Sequence, residues 1–134
     1  MDNFTESRAI SDWSINVVTL FVEDLAVTKQ FYQEVFGLSI VFEDENSAVF
    51  KFKNMMINLL KITEANELIA PATVASRESG VRFVFTITVE DVDASCEDLR
   101  KRGVVLLNGP MDRPWGIRTA SFKDPGGHIW EIAK

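Results

Sequence analysis

Residues 17–42, VVTLFVEDLAVTKQFYQEVFGLSIVF, run from an apolar β-rich stretch through Val-Glu-Asp into a helical pattern that a glycine ends. Residues 84–107, VFTITVEDVDASCEDLRKRGVVLL, repeat the same order. The aspartates of the two Val-Glu-Asp triplets, Asp24 and Asp91, are 67 positions apart in a chain of 134 residues. This internal repeat predicts one architectural unit built from two copies of a single motif.

Both copies contain a predicted helix with one apolar stripe. In the first copy the stripe spans residues 25–36 and consists of Leu25, Thr28, Phe31, Tyr32, Val35 and Phe36. In the second copy it consists of Val92, Ser95, Cys96 and Leu99. Gly37 and Gly103 suit the left-handed conformation that commonly ends a helix. Asp93 is predicted to cap the second helix at its N-terminus.

Three strands are predicted after each helix, so that each half reads β-α-β-β-β and the chain is predicted to be α+β. The strands of the first half are LSIVFED (38–44), SAVFKFK (47–53) and MMINLLKI (55–62), and those of the second are VVLLNG (104–109), IRTASFKD (117–124) and HIWEIA (128–133). The predicted division is an N-terminal extension (1–14), a first module (15–62), a linker with one helical turn (63–80) and a second module (81–134).

Composition narrows the classes of function. The net charge is −6 and the longest basic run is Arg100-Lys101-Arg102, which argues against nucleic acid as a partner. The apolar runs are far shorter than the roughly 20 residues of a membrane span, and the polar N-terminus lacks the pattern of a secretion signal. A single cysteine fits a reducing cytoplasm. The acidic field favours a cationic ligand, although an acidic surface that keeps a protein soluble is the simpler interpretation.

The repeat, together with DRPWGIRTASFKDPGGHIWEI (112–132), resembles the vicinal oxygen chelate superfamily of glyoxalases, extradiol dioxygenases, fosfomycin-resistance enzymes and bleomycin-resistance proteins. The resemblance covers residues 15–134. It is most specific in VEDL…FYQEVFGL and in the Pro-Trp-Gly-x-Arg…Asp-Pro-x-Gly-x-x-x-Glu ending. It implies two βαβββ modules whose curled mixed sheets enclose a cleft, and a homodimer.

Enzymes of this superfamily hold a divalent metal with four strand positions, which the resemblance places at Val17, Asn58, Val84 and Glu131. Two valines and a weakly ligating amide leave Glu131 as the only residue that matches. His128, the only histidine, does not complete a site with Glu131, because residues three apart on a strand point to opposite faces. We therefore predict that the chain holds neither a metal nor another cofactor.

The leading hypothesis is a metal-independent protein that binds a small molecule, as the bleomycin-resistance proteins do, with an antibiotic or an ordinary metabolite as the ligand. A planar or cationic ligand would fit. The predicted ligand-binding residues are Phe52, Asn58, Trp115, Arg118 and Glu131. Trp115 is interpreted either as a stacking platform or as a lid over the core. Arg118 is interpreted as the partner of a ligand anion, of Glu131 or of another acidic side chain.

Strand alternation extends this set. If Val17 and Val84 face the cleft, further candidates are Thr19, Phe21, Thr86, Thr88, Met56 and Leu60, together with Phe50 and Phe52 on a neighbouring strand. The alternative hypothesis is a lyase or isomerase that uses Glu131 as a general base, with or without a divalent metal. Cys96 is predicted to be a buried free thiol and not a nucleophile.

Overall fold

A computed structural model describes residues 10–134. Most of the predicted N-terminal extension, residues 1–14, lies outside this range, and Ile10–Asp12 form a single 3₁₀ turn. The elements follow in the order β1 (Val17–Val22), α1 (Leu25–Glu34), β2 (Ile40–Glu43), β3 (Ser47–Lys51), β4 (Met56–Lys61), α2 (Asn66–Ile69), β5 (Phe85–Thr88), α3 (Val92–Lys101), β6 (Asn108–Asp112), β7 (Arg118–Lys123) and β8 (Ile129–Ala133).

Each half forms a four-stranded mixed sheet with the same topology. The strand orders are β1-β4-β3-β2 and β5-β8-β7-β6. In both sheets the first and last strands of the module run parallel, and the remaining neighbours are antiparallel. The predicted α+β class and its two βαβββ modules are confirmed. The linker contains the predicted helical turn, α2, and two additional 3₁₀ turns at Ile62–Glu64 and Arg77–Ser79.

An aspartate caps each long helix, in the same way in both modules. Asp24 accepts a hydrogen bond from the backbone N–H of Val27 (3.1 Å), and Asp91 accepts one from that of Ala94 (3.0 Å). These bonds satisfy N–H groups that have no partner within the helix. The prediction that Asp93 caps α3 is therefore wrong. Asp93 lies inside the first turn, where its carboxylate is free to bind another side chain.

The sixth strand begins later in the chain than its apolar run suggests. Residues 104–109 were the expected strand, whereas β6 spans Asn108–Asp112. The N–H of Val104 closes the end of α3 by binding the carbonyl of Leu99 (3.0 Å). Strand pairing begins only at Asn108, opposite Ser121, and a bulge follows before the next paired residue. The apolar run is thus mainly a connection, and its Val105 is 87% exposed.

The helix-bearing faces of the two sheets share one core. Phe36 of the first module lies 4.8 Å from Trp130 and 5.9 Å from Phe122, measured between ring centroids. Tyr32 lies 6.0 Å from Trp130. At the helix ends, the guanidinium of Arg102 donates to the carbonyl oxygen of Val35 (3.1 Å). Because these contacts cross between the modules, neither module has a core of its own.

Phe50 and Phe52 belong to this shared core. Phe50 is fully buried and stands opposite Ile57 in the β3–β4 ladder. Phe52 stacks on Trp130, with ring centroids 5.5 Å apart. The expectation that these phenylalanines line the same face as Asn58 is wrong, because Asn58 pairs with Val49 and lies on the other face. Within residues 10–134, every helix is too short or too polar to cross a membrane.

Candidate functional site

Two polar pairs occupy equivalent places on the sheet faces that point away from the core. In the first module the Asn58 amide donates to the hydroxyl of Thr19 (3.3 Å). In the second module the Thr86 hydroxyl donates to the Glu131 carboxylate (2.8 Å). Each pair joins neighbouring residues of two parallel strands. The repeat therefore places a hydroxyl beside an amide in one sheet and beside a carboxylate in the other.

Both pairs are accessible from outside the protein. Asn58 and Glu131 are half-buried, and among the described residues the second carboxylate oxygen of Glu131 has no hydrogen-bond partner. That oxygen is not enclosed, because the only buried side-chain polar atom without a partner in residues 10–134 belongs to Trp130. Glu131 can accept one more hydrogen bond or one cation from a molecule lying on the sheet.

The valines at the two remaining strand positions lie on the same faces. Val17 is 45% exposed and Val84 is 49% exposed. In residues 10–134 no cluster of three or more His, Cys, Asp or Glu side chains could hold a metal ion. Hard divalent cations need several oxygen ligands, and zinc needs four ligands of which at least three come from the protein. The residues present therefore do not fit the divalent metal of the superfamily's enzymes.

Three of the predicted ligand-binding residues lie apart from these pairs, namely Phe52, Trp115 and Arg118. Phe52 packs in the core on the opposite side of its sheet. Trp115 is 68% exposed in the turn between β6 and β7, so it covers little of the core. It is six positions from Ser121, the cross-strand neighbour of Glu131, and it lies outside β7, which begins at Arg118.

Arg118 is bound by acidic side chains of its own module. Its guanidinium makes two hydrogen bonds of 2.9 Å to Asp93, at the start of α3, and one of 3.1 Å to Asp112. The bidentate contact with Asp93 holds the pKa of that carboxyl below its usual range. Of the three partners foreseen for Arg118, the structure shows the acidic neighbour. Cys96 is buried, and burial raises the pKa of its thiol, as expected for an unreactive side chain.

A buried polar network links α1 to the turn before β8. Asp124 is 2% exposed, and its carboxylate accepts hydrogen bonds from the Tyr32 hydroxyl (2.8 Å) and from Nδ1 of His128 (2.9 Å). The backbone N–H groups of Gly126 (2.9 Å) and His128 (3.1 Å) donate to the same carboxylate. Burial raises the pKa of the Tyr32 phenol, and the neighbouring Asp124 charge acts in the same direction.

This network was not foreseen from the sequence. Asp-Pro-Gly-Gly, residues 124–127, forms the turn before β8, and strand alternation predicts only that His128 and Glu131 point to opposite faces. The available signal was the short spacing between Asp124 and His128, four residues across two glycines. The third member, Tyr32, is 92 positions away from Asp124, and turn chemistry alone cannot point to it.

Comparisons with known proteins agree with the fold. Residues 14–132 match the model of the Glyoxalase/Bleomycin resistance protein/Dioxygenase superfamily. The YraH protein of Bacillus subtilis (strain 168) is 31% identical over 121 residues, covering 87% of this chain and 94% of that protein. The metallothiol transferase FosB of Lysinibacillus sphaericus (strain C3-41) is 26% identical, covering 89% and 80%.

Among solved structures, a glyoxalase/bleomycin resistance protein/dioxygenase from Nocardioides superposes with a TM-score of 0.84 at 24% identity, covering 97% of this chain and 88% of that one. This likeness shows the fold, and the family model supplies the assignment over almost the whole described chain. The chain therefore belongs to the Glyoxalase/Bleomycin resistance protein/Dioxygenase superfamily.

Proposed function

We propose that the protein binds a small organic molecule on its outward sheet faces without a divalent metal. The observation that carries this proposal is the accessible Thr86–Glu131 pair on the same face as Val84. Glu131 lies at one of the strand positions where enzymes of the superfamily have a metal-ligating residue. The face offers one carboxylate oxygen, hydroxyl groups and apolar surface. Few polar groups on a mainly apolar wall are typical of small-molecule sites.

The free carboxylate oxygen of Glu131 favours a cationic group in the ligand. The same face also carries two basic side chains, Lys123 on the Ser121 side of β7 and Arg113, whose Nε donates to the Thr119 hydroxyl (2.8 Å), so the preference comes from Glu131 itself and not from the face as a whole. The chain as a whole carries a net charge of −6, which raises the local concentration of cations. A planar amine or amidinium would place its charge at Glu131 and its ring over Val84.

A homodimer is part of the proposal. Several large apolar side chains on or near the outermost strands are exposed, notably Val41, Phe42, Leu107, Met111 and Trp115. Such surface in a chain of this size is usual where another protein surface covers it. In this arrangement a second copy brings its exposed Trp115 to the ligand at Glu131. Light scattering should give about twice the mass of 15.1 kDa.

Metal binding is the first test. We expect the melting temperature of chelator-treated protein to remain unchanged on adding Zn²⁺, Ni²⁺, Mn²⁺ or Fe²⁺. A metal bound only by the native state at about 100 times its dissociation constant would add roughly 2.7 kcal/mol, or several degrees. A rise of that size that Glu131→Ala removes and Glu45→Ala retains would contradict the metal-independent proposal. Glu45 is the matched control because it is exposed in the β2–β3 turn.

Ligand binding is the second test, made by calorimetry with a panel of planar aromatic amines and amidines. We expect at least one compound to bind, and Glu131→Gln to weaken it about 10-fold or more, because a charge-assisted hydrogen bond is lost. Glu45→Gln should leave affinity unchanged. Binding that is indifferent to Glu131→Gln would place the ligand elsewhere.

A second candidate function is catalysis with Glu131 as a general base, in a lyase or isomerase. The observation that favours it is the geometry of the carboxylate: Thr86 fixes one oxygen, and the other is open to a bound molecule. The relative FosB is named as a transferase. If Glu131→Gln retained ligand affinity but abolished conversion of that ligand, catalysis would replace simple binding as the function.

A further inference from the structure

A pocket of about 450 Å³ lies between β1 and residues 74–83, which are the last part of the linker and the chain just before β5. One wall is formed by the turn that precedes β8, including Gly126, Gly127 and His128. Its apolar lining comes from Val18, Leu20, Phe21, Val81, Phe83 and Phe85. The pocket contains neither Asn58 nor Glu131, although Thr19, the partner of Asn58, lines its edge.

His128 presents an unused ring nitrogen at this wall. Its Nδ1 is 2.9 Å from one Asp124 oxygen and 3.0 Å from the other. A carboxylate that already accepts several donors can only accept here as well, so Nδ1 carries the hydrogen and the neutral ring keeps its lone pair on Nε2. Nε2 has no partner among the described residues, and it is not one of the enclosed polar atoms. The open side of the ring is therefore available to a molecule in the pocket.

The two glycines of the turn allow this wall to form. A Cβ on Gly126 would lie 2.7 Å from Cε1 of His128, and a Cβ on Gly127 would lie 2.8 Å from Cγ of Arg77. Both distances are too short for real side chains. The absence of side chains thus lets the imidazole and the Arg77 stem pack directly against the turn. Arg77 is also held by a hydrogen bond from its Nη1 to the carbonyl of Pro125 (2.6 Å).

The charged groups around the pocket favour an anion. Arg77 comes from the linker, Arg82 from the chain just before β5, and Glu23 from the chain just after β1. Asp124 lies behind the imidazole, buried and bonded to Tyr32, so it orients the ring without facing the ligand. Arg77 uses one nitrogen on Pro125, and its other donors are free to bind an anion among the described residues.

We propose that this pocket binds a small carboxylic acid with an apolar body, with the carboxylate held by Arg77 and by His128 Nε2 and the body lying against the phenylalanines. A carboxylate needs a donor at Nε2, so binding is coupled to protonation of the imidazole. Asp124 behind the ring stabilises the imidazolium that forms.

The single histidine makes the test direct, because the imidazole resonances of the untagged protein report on this pocket alone. Benzoate is the probe, and benzamide, which has the same ring without the charge, is its matched control. We expect benzoate to shift the His128 ring resonances. Benzamide should bind about 10-fold more weakly or not at all.

Two variants locate the anion. Arg77→Gln is expected to weaken benzoate binding about 10-fold, whereas Arg100→Gln, on the exposed face of α3, should have no effect. The proposal is overturned if saturating benzoate leaves the imidazole resonances unmoved, if benzamide shifts them equally, or if Arg77→Gln binds benzoate as the wild type does. Since the first two readouts use the unmodified chain, they do not depend on the folding of any variant. Failure of the Glu131 proposal would leave them unaffected.

Discussion

Two aspartates, Asp44 in the first module and Asp124 in the second, organise turns by the same chemistry in different surroundings. Asp44 accepts hydrogen bonds from the backbone N–H groups of Asn46 and Ser47, both at 2.9 Å. Asp124 accepts the equivalent local bonds from its own turn. Asp44 lies at the surface, whereas Asp124 is buried beneath α1. Because Asp124 is buried, its carboxylate also binds the Tyr32 hydroxyl of α1 and the His128 ring. The bond from Tyr32 connects this turn of the second module to the first module.

The residue of α3 that corresponds to Tyr32 cannot make the same hydrogen bond. In the repeat, the position of Tyr32 in α1 corresponds to that of Leu99 in α3, 67 residues later. Both side chains are buried against the shared core, but only Tyr32 carries a hydroxyl. The two copies therefore supply the same apolar scaffold, and one of them adds the polar contact that fixes the turn of the other.

The largest effect is expected from Asp124→Asn. The groups around Asp124 are hydrogen-bond donors, and the NH₂ of an amide at this position would also be a donor. Some of these buried donors would therefore lose their acceptor. The free energy of unfolding should fall by about 3 kcal/mol or more. Urea unfolding measures the loss, and Asp44→Asn, which affects an exposed turn, should change it much less. Equal losses for the two variants would show that burial does not distinguish these turns.

Tyr32→Phe should have an intermediate effect. It removes one hydrogen bond to a buried carboxylate while the ring is kept, so a loss of about 2 kcal/mol is expected from urea unfolding. Thr28→Val in the same helix is the comparison. It removes a neutral bond from the Thr28 hydroxyl to the Asp24 carbonyl (2.8 Å) and should lose only about 1 kcal/mol. A larger loss for Thr28→Val would mean that the Asp124 contact adds little.

The pH dependence of Tyr32 sharpens this comparison. Its pKa in the folded protein is raised, so the stabilisation is fully present below the ordinary phenol value of about 10 and is lost as the pH rises above it. The wild type should therefore lose stability on alkaline titration more steeply than Tyr32→Phe. Phenolate absorbance should appear only together with unfolding, since this is the chain's one tyrosine.

The smallest effect is expected from Asp93→Asn, which breaks the exposed ion pair with Arg118. The corresponding position in α1 is Ala26, so the first module has no such pair. The pKa of Asp93 is lowered in the folded protein, and its contribution is present above the ordinary carboxyl value of about 4 and lost as the pH falls through the folded value. The variant should show a slightly lower urea midpoint at neutral pH, and the difference should shrink in about 1 M NaCl. A difference that persists at acid pH would need another explanation.

The local patterns were sufficient to predict much of this fold. The apolar stripes, the glycines after the helices and the alternation in SAVFKFK (47–53) all depend on neighbouring residues. Alternation grouped Phe50 and Phe52 correctly, but it cannot tell which side of a sheet meets the helices. That choice depends on the β3–β4 register, which places Phe50 beside Ile57 and not beside Asn58. The error therefore lay in pairing between strands.

The candidate sites were harder to predict for a similar reason. Glu131 and its face could be placed from strand parity, whereas its Thr86 partner depends on how β5 and β8 are aligned. The contact between Arg118 and Asp93 joins a strand to a helix 25 residues earlier, and it replaced the expected role of Asp93 as a helix cap. Side-chain partners at such separations follow from the packed structure and leave no mark in a local pattern.

The shared core also limits how two duplicated copies can diverge. The helix-bearing faces of the two modules pack against each other. The contacts include that of Phe36 with Trp130 and that of Arg102 with the end of α1. A substitution at this interface changes the packing of both modules, so residues of the two modules that meet there must remain compatible with each other. The outward sheet faces do not belong to this shared core, so residues on them can change in one module independently of the other. An amide in one copy and an acid in the other, at Asn58 and Glu131, is the kind of difference that this freedom permits.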